Sequence, residues 1–225
     1  MPTVTEKRRY QIKLIGEGSY AQVFKYKDDF YNKFFVIKRA KKHLNTKELQ
    51  RFKKEYEVMN SLHLPYVLEV YRYDDTKNEY YAEYADETLY NFISHNPKLD
   101  YSKRKSISFQ LFKGLSYIHS QGYLHRDLSL SNILLVHYDD GNSIVKLSDF
   151  GLVKEENSTL TSLESDVKGS LNDSNLRVIG FSNFSIEYET FALTRVILFI
   201  MTGLQNIDNI REEKIKQFCI KRTCS

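Results

Sequence analysis

One short stretch constrains this chain more than any other. His125-Arg126-Asp127-Leu128-Ser129-Leu130-Ser131-Asn132 is followed by two apolar runs, Ile133-Leu134-Leu135-Val136 and Ile144-Val145-Lys146-Leu147, and then by Asp149-Phe150-Gly151. Between the runs lies Asp139-Asp140-Gly141-Asn142, a cluster of turn formers. Short apolar runs on either side of such a tetrad predict a β-hairpin. A hairpin returns the chain to where it set out, so Asn132 and Asp149 are expected side by side.

An isolated Asp-Phe-Gly tripeptide arises in many chains by chance and gains its meaning here from the expected hairpin. Phosphoryl transfer needs a carboxylate that orients an incoming hydroxyl and takes its proton. It also needs Mg²⁺ held by an oxygen donor and a second carboxylate. On this reading Asp127 is the base, and Asn132 and Asp149 are the metal ligands.

Upstream, Gly16-Glu17-Gly18-Ser19-Tyr20-Ala21 lies between alternating segments at residues 10–15 and 22–26. Strand, glycine turn and strand make a flap whose backbone N–H groups can close over phosphates. The same pattern also occurs in ordinary hairpins. Phe34-Phe35-Val36-Ile37-Lys38 reads as a strand ending in a lysine, either a solvated edge or a contact for phosphate. Leu49, Phe52, Tyr56 and Met59 then recur at helical steps across residues 45–62, with Thr46 as a candidate cap. Glu55 lies beside that stripe and could orient Lys38, although Glu48 and Glu57 fit the spacing too. The run Lys38-Arg39-Ala40-Lys41-Lys42-His43 reads as the solvated start of a helix rather than a phosphate patch.

Composition narrows the classes. The 225 residues are 41% hydrophobic and 14% aromatic, too rich in Phe and Tyr for a disordered protein. A formal net charge of +4, scattered along the chain, gives nucleic-acid binding little support. No apolar run reaches the ~18 residues of a membrane span, and the first residues lack an apolar signal core. A soluble cytoplasmic protein is expected, with Cys219 and Cys224 as free thiols.

Taken in order, the glycine flap, strand lysine, helix glutamate, His-Arg-Asp motif and Asp-Phe-Gly motif resemble the eukaryotic-type protein kinase family, from about Tyr10 to the end. The resemblance implies an α+β, two-lobed fold: a small antiparallel-sheet lobe over residues 1–83 and a mainly helical lobe over 84–225. It implies ATP and Mg²⁺ in the cleft, protein substrates that include the chain itself, and Ser/Thr hydroxyls as acceptors. Lys38 and Glu55 would form the small-lobe ion pair, with Gly16 and Gly18 over the phosphates. Val23, Val36 and Leu134 would clamp the adenine, while backbone groups of Glu83 and Ala85 read its edge. Val36 stands where the family usually has alanine. Ala82 would sit at the mouth of the back pocket, leaving space there. Met59, Val70, His125 and Phe150 fall where the family stacks a column through both lobes, and plain core packing explains them equally well.

The chain also departs from the pattern. Ser129 replaces the lysine that serine/threonine kinases carry two residues after the base, and a hydroxyl supplies no positive charge. That keeps a small-molecule kinase open as an alternative, and an ATP-binding scaffold without turnover is a third reading. Arg126 points back to protein kinases, since an arginine before the base is the family's docking point for a phosphate on the activation segment. The hydroxyls at Ser158, Thr159, Thr161, Ser162, Ser165, Ser170 and Ser174 are candidates to carry it. The family's Ala-Pro-Glu tripeptide is missing, with Lys168-Gly169-Ser170-Leu171 resembling the platform before it. Glu189 would stand where an aspartate normally ties the catalytic loop, or else acts as a helix cap. Gly203 would end the central helix, and residues 204–225 leave room for one further helix, a large lobe shorter than is typical: either a minimal family or a truncated chain whose apolar surface a partner would cover. The serine-bearing loop is similar to that of compact bacterial or phage-related kinases.

Overall fold

Alternating side chains in the first part of the chain build an antiparallel sheet. The computed structural model describes residues 12–151, 154–155 and 185–204. Strands β1 (Lys13–Glu17), β2 (Ala21–Asp28), β3 (Lys33–Ala40), β4 (Val70–Asp74) and β5 (Glu79–Glu83) run in the order β1-β2-β3-β5-β4. The register sets Val23, Lys38 and Tyr80 abreast, and Lys25, Val36 and Ala82 abreast. With a side-chain period of two, these rows share one face of the sheet. The strand expected at residues 10–15 runs further along the chain, because β1 continues through Gly16 and Glu17 to pair with Val23 and Gln22; residues 10 and 11 lie outside the described residues.

Helix α1 (Thr46–Ser61) packs beside β4 and buries Phe52, Glu55, Val58 and Met59. Its cap is Asn45, not Thr46. The Asn45 side chain accepts from the Glu48 N–H at 3.0 Å while the Asn45 N–H donates to the Glu48 carboxylate at 2.8 Å. This reciprocal box satisfies two orphan donors at once, which Thr46 could not do from inside the first turn. The charge run before it is not a helix start. Lys38, Arg39 and Ala40 end β3, with Arg39 paired to Glu79 at 2.6 Å and Lys41 to Glu17 at 2.6 Å.

The second part is mainly helical. Strand β6 (Glu87–Thr88) leads into α2 (Leu89–His95) and α3 (Tyr101–Ser120). After β7 (Tyr123–Leu124) comes the hairpin of β8 (Ile133–His137) and β9 (Ser143–Leu147), then β10 (Lys154–Glu155) and α4 (Ile186–Thr202). The sheets here are small: β6-β8-β9, and β7 with β10. Helix α3 buries Ile107, Leu111, Leu115 and Ile118, a stripe at helical spacing that faces β9 and α4. Burying each such side chain is worth about 1.5–3 kcal/mol, and Leu111→Ala would cost about 2–5 kcal/mol. Gly114 permits the close approach, since a Cβ there would lie 2.9 Å from Leu147 Cδ1 and 3.1 Å from Tyr66 Cβ. Gln110 fastens α3 to β9 by accepting from Val145 N–H at 2.9 Å and donating to Ser143 O at 3.1 Å. Buried Arg104 donates to the carbonyls of Asn96, Pro97, Leu99 and Ile200, closing the loop after α2 against α4. As expected, α4 ends at Gly203, whose left-handed backbone (φ 76°) only glycine adopts without cost.

Among the described residues no helix is long and apolar enough to cross a membrane. The hydroxyls between Ser158 and Ser174, the platform at Lys168, Cys219, Cys224 and the segment after Leu204 lie outside the described residues.

Candidate active site

The β8–β9 hairpin forms as expected, with Ile133 opposite Leu147. Its ends are stitched together, since Ser148 donates to Asn132 O through both its N–H (3.0 Å) and its hydroxyl (2.9 Å). Asn132 and Asp149 therefore flank one backbone junction. The Asn132 amide nitrogen donates to Asp127 O at 2.9 Å and to the Asp127 carboxylate at 3.1 Å. That leaves the amide oxygen, whose contact with Ser131 Oγ is a long 3.5 Å. Ser129 spends its hydroxyl locally, on Ser131 Oγ at 2.9 Å and on the Asn132 N–H at 3.3 Å.

Two residues here hold left-handed backbone without being glycine, Arg126 (φ 67°) and Asp149 (φ 64°). Such geometry persists only where neighbours over-determine it. Glu189 of α4, wholly buried, accepts from the Arg126 N–H at 2.7 Å, and its other oxygen meets His119 Nε2 at 2.5 Å. His125, also fully buried, bonds through Nε2 to Ser148 O at 3.0 Å and packs its ring 4.6 Å from that of Phe150. Of the two sequence readings for Glu189, the geometry is that of a tie to the catalytic loop, because the Ser185 N-cap makes no side-chain cap bond and Glu189 points inward. The Arg126 guanidinium is held at about 10, below the usual arginine value, first by burial and then by the nearby Arg51 charge.

Across the cleft, Lys38 Nζ lies 2.6 Å from Glu55 Oε1 and 3.6 Å from Asp149 Oδ1. The rival glutamates are placed otherwise: Glu48 serves the Asn45 cap and Glu57 is exposed. Burial pulls the Lys38 ammonium down, but Glu55, Tyr80 and Asp149 outweigh it and leave the lysine well above its ordinary range. Burial raises the Glu55 carboxyl. Asp149 is held below the usual carboxylate range, chiefly by the Lys38 charge. The aligned charges leave Asp149 ionised, as a metal ligand must be.

A cleft of about 680 Å³ joins these halves. Gly16, Gly18, Val23, Val36, Lys38, Glu55, Ala82, Glu83, Ala85, Asp127, Asn132, Leu134 and Asp149 all line it, whereas Arg126, Met59, Val70, His125 and Phe150 do not. The Glu83 N–H is committed to Glu69 O at 2.9 Å and is not open to a ligand in the cleft. Its carboxylate pairs with buried Lys146 at 2.6 Å. Neither flap glycine has a positive φ, and a Cβ would meet no atom closer than 3.6 Å at Gly16 or 3.9 Å at Gly18. The fold itself does not demand glycine at either place. A second concavity of about 750 Å³, on the opposite face of the sheet among Tyr26, Phe35, Tyr71 and Tyr81, contains none of the candidates.

Among the described residues no three His, Cys, Asp or Glu gather around one point. The donor set is one carboxylate and one amide oxygen, which suits Mg²⁺, an ion that keeps waters and takes phosphate oxygens instead of a full protein cage. Residues that sequence reasoning did not single out are Tyr80, His119, Lys146 and Ser148. Their partners are far away along the chain, and no local pattern marks them.

A two-lobed α+β fold with a lysine–glutamate pair facing two aspartates and an asparagine across a cleft defines the class as phosphoryl-transfer domains of the kinase type. The chain belongs to the protein kinase domain family, whose pattern matches residues 10–224. It is 34% identical over 169 residues to the serine/threonine-protein kinase fused of Drosophila melanogaster, covering 72% of this chain and 20% of that protein. It is 32% identical over 152 residues to NUAK family SNF1-like kinase 1 of Mus musculus (65% and 22%), and 32% identical over 162 residues to mouse serine/threonine-protein kinase 36 (71% and 12%). The chain thus spans about a fifth or less of the length of these relatives.

Proposed function

We propose that the chain is an ATP- and Mg²⁺-dependent protein kinase that phosphorylates Ser or Thr hydroxyls, its own included. The observation that carries this reading is the position of Lys38 Nζ, within 2.6 Å of Glu55 and 3.6 Å of Asp149 in a cleft whose other wall holds Asp127 and Asn132. Asp127 orients the acceptor hydroxyl and takes its proton. Lys38, aligned by Glu55, holds the α- and β-phosphate oxygens. Asp149 and the Asn132 amide oxygen hold Mg²⁺, which when bound neutralises the triphosphate charge. Gly16 and Gly18 leave the flap backbone bare so that phosphates can approach it. Val23, Val36 and Leu134 sandwich the adenine, with the Glu83 carbonyl and the Ala85 backbone at its edge. The lobes divide at residues 83 and 84, where β5 ends. A phosphate on the activation segment would dock on Arg126. A cytoplasmic setting, which supplies ATP and Mg²⁺, accords with this work.

The test is phosphate incorporation from labelled ATP, wild type against Asp127→Asn, with the labelled sites mapped. Label on Ser or Thr that depends on Asp127 is expected. Ser129, which brings a hydroxyl where a cation is usual, favours a second reading, a small-molecule kinase. Transfer to sugars or amines with none to protein would select it, and ATP binding without any transfer would leave a scaffold.

A further inference from the structure

Lys38 and Glu55 do not stand alone. Tyr80, on β5 directly opposite Lys38, donates its hydroxyl to Glu55 Oε1 at 2.7 Å, the same oxygen that meets Lys38 Nζ. Tyr80 and Glu55 are 2% and 3% exposed, so water does not compete for the bond. The Tyr80 ring is itself wedged, with centroids 5.4 Å from Phe52 and 5.8 Å from Tyr56, both on α1. Tyr56 in turn lies 5.4 Å from Tyr73 of β4. Lys38 Nζ is 6.0 Å from the Tyr80 ring centre.

We infer that Tyr80 is a positioning residue for the phosphate-holding lysine: its hydroxyl fixes the Glu55 carboxylate, and through it Lys38, against the aromatic stack that locks α1 to the sheet. This rests on the kinase reading of the cleft. A carboxylate bonded only to a flexible lysine can swing about its χ angles. A second, rigid donor from the sheet leaves it one orientation, and ordering it before ATP arrives removes that cost from binding. The aromatic rows act on the helix and the hydroxyl acts on the charge, so the two contributions can be separated by removing one atom.

Tyr80→Phe keeps the ring, the stack and the ring's approach to Lys38, and deletes the bond. Affinities of wild type and variant for Mg-ATP and for adenosine, measured by calorimetry, are the readout. ATP affinity is expected to fall about three- to tenfold, less than the full worth of a hydrogen bond to a charged group because the hydroxyl acts on ATP only through Glu55 and Lys38, while adenosine affinity stays the same. In a Lys38→Met background, Tyr80→Phe should cause no further loss, because the hydroxyl acts through the lysine. Unchanged ATP affinity, equal losses for ATP and adenosine, or full additivity with Lys38→Met would each overturn the inference. A wild type that binds ATP but transfers no phosphate would remove the kinase reading and leave the Tyr80 result standing on binding alone. A wild type that binds no ATP would take both down.

Discussion

The two walls of the cleft are held in place by different means. On the loop side, Asp127, Asn132 and Asp149 sit on backbone that is bonded to backbone or to a buried carboxylate: Ser148 to Asn132, Arg126 to Glu189. On the sheet side, the Lys38 backbone lies in β3 between β2 and β5, but its ammonium, the atom that faces the cleft, is placed by side chains, Glu55 from α1 directly and Tyr80 from β5 through Glu55. Backbone ties survive most substitutions near them, whereas a side-chain tie changes with one atom. On the proposed function, the wall that would handle the proton is therefore preset, and the wall that would hold phosphate is adjustable.

The largest expected effect tests the preset wall. Asp127→Asn should reduce phosphate transfer by about 10²–10⁴-fold, as removal of a positioned base does, with the thermal unfolding midpoint unchanged. A fall in that midpoint large enough to account for the lost activity would show that Asp127 also supports the loop. Next, Lys38→Met should lower kcat/KM by about a hundredfold and Glu55→Gln by less, since the amide oxygen still accepts from the lysine. Equal losses would mean that the sheet-side wall behaves as one rigid unit, like the loop side.

Glu189→Ala strands the buried Arg126 N–H and should cost about 2–3 kcal/mol in denaturant unfolding. A cost near zero would show that the left-handed loop holds itself. The pH profile separates the walls again. Burial raises the Glu55 carboxyl, so as pH falls it takes up its proton above the usual carboxylate range and releases Lys38, while Asp149, lowered by Lys38, remains ionised. The acid limb of kcat/KM should lie above that range and shift downward in Glu55→Gln. A limb that stays put in the variant would assign it elsewhere. The smallest effect on ATP itself is expected at Ala82, 1% exposed and flanked by Val36 and Val70. Wild type should accept ATP analogues with bulky N6 substituents, and Ala82→Met should exclude them while still using ATP. Equal handling by both, read from competition with labelled ATP, would place the spare volume elsewhere.

The loop-side wall was the more legible in sequence, for the same reason that it is preset. Its residues lie within one stretch, and the turn cluster at Asp139–Asn142 reports the hairpin that joins them. The sheet-side wall could be read only in part. Spacing put Lys38 on a strand and left Glu48, Glu55 and Glu57 equivalent, because helical periodicity gives a face but not which carboxylate on it is buried. Tyr80 carries no local signal; only the β3–β5 register sets it opposite Lys38. The misread cap and the misread charge run share a cause. Asn45 and Thr46 both suit a helix start, and the pairs Arg39–Glu79 and Lys41–Glu17 are fixed by tertiary contacts.

Gln110 has a further consequence for the hairpin it grips. Strand β9 is the outer strand of its small sheet, and an outer strand is open to pairing with strands of other molecules. Gln110 takes Val145 N–H and Ser143 O as a neighbouring strand would, while Tyr66 O and Leu68 N–H bond Leu147. One amide side chain and a short extended segment thus counterfeit a missing strand along this edge, leaving β9 with fewer open N–H and C=O groups to offer a strand of another molecule.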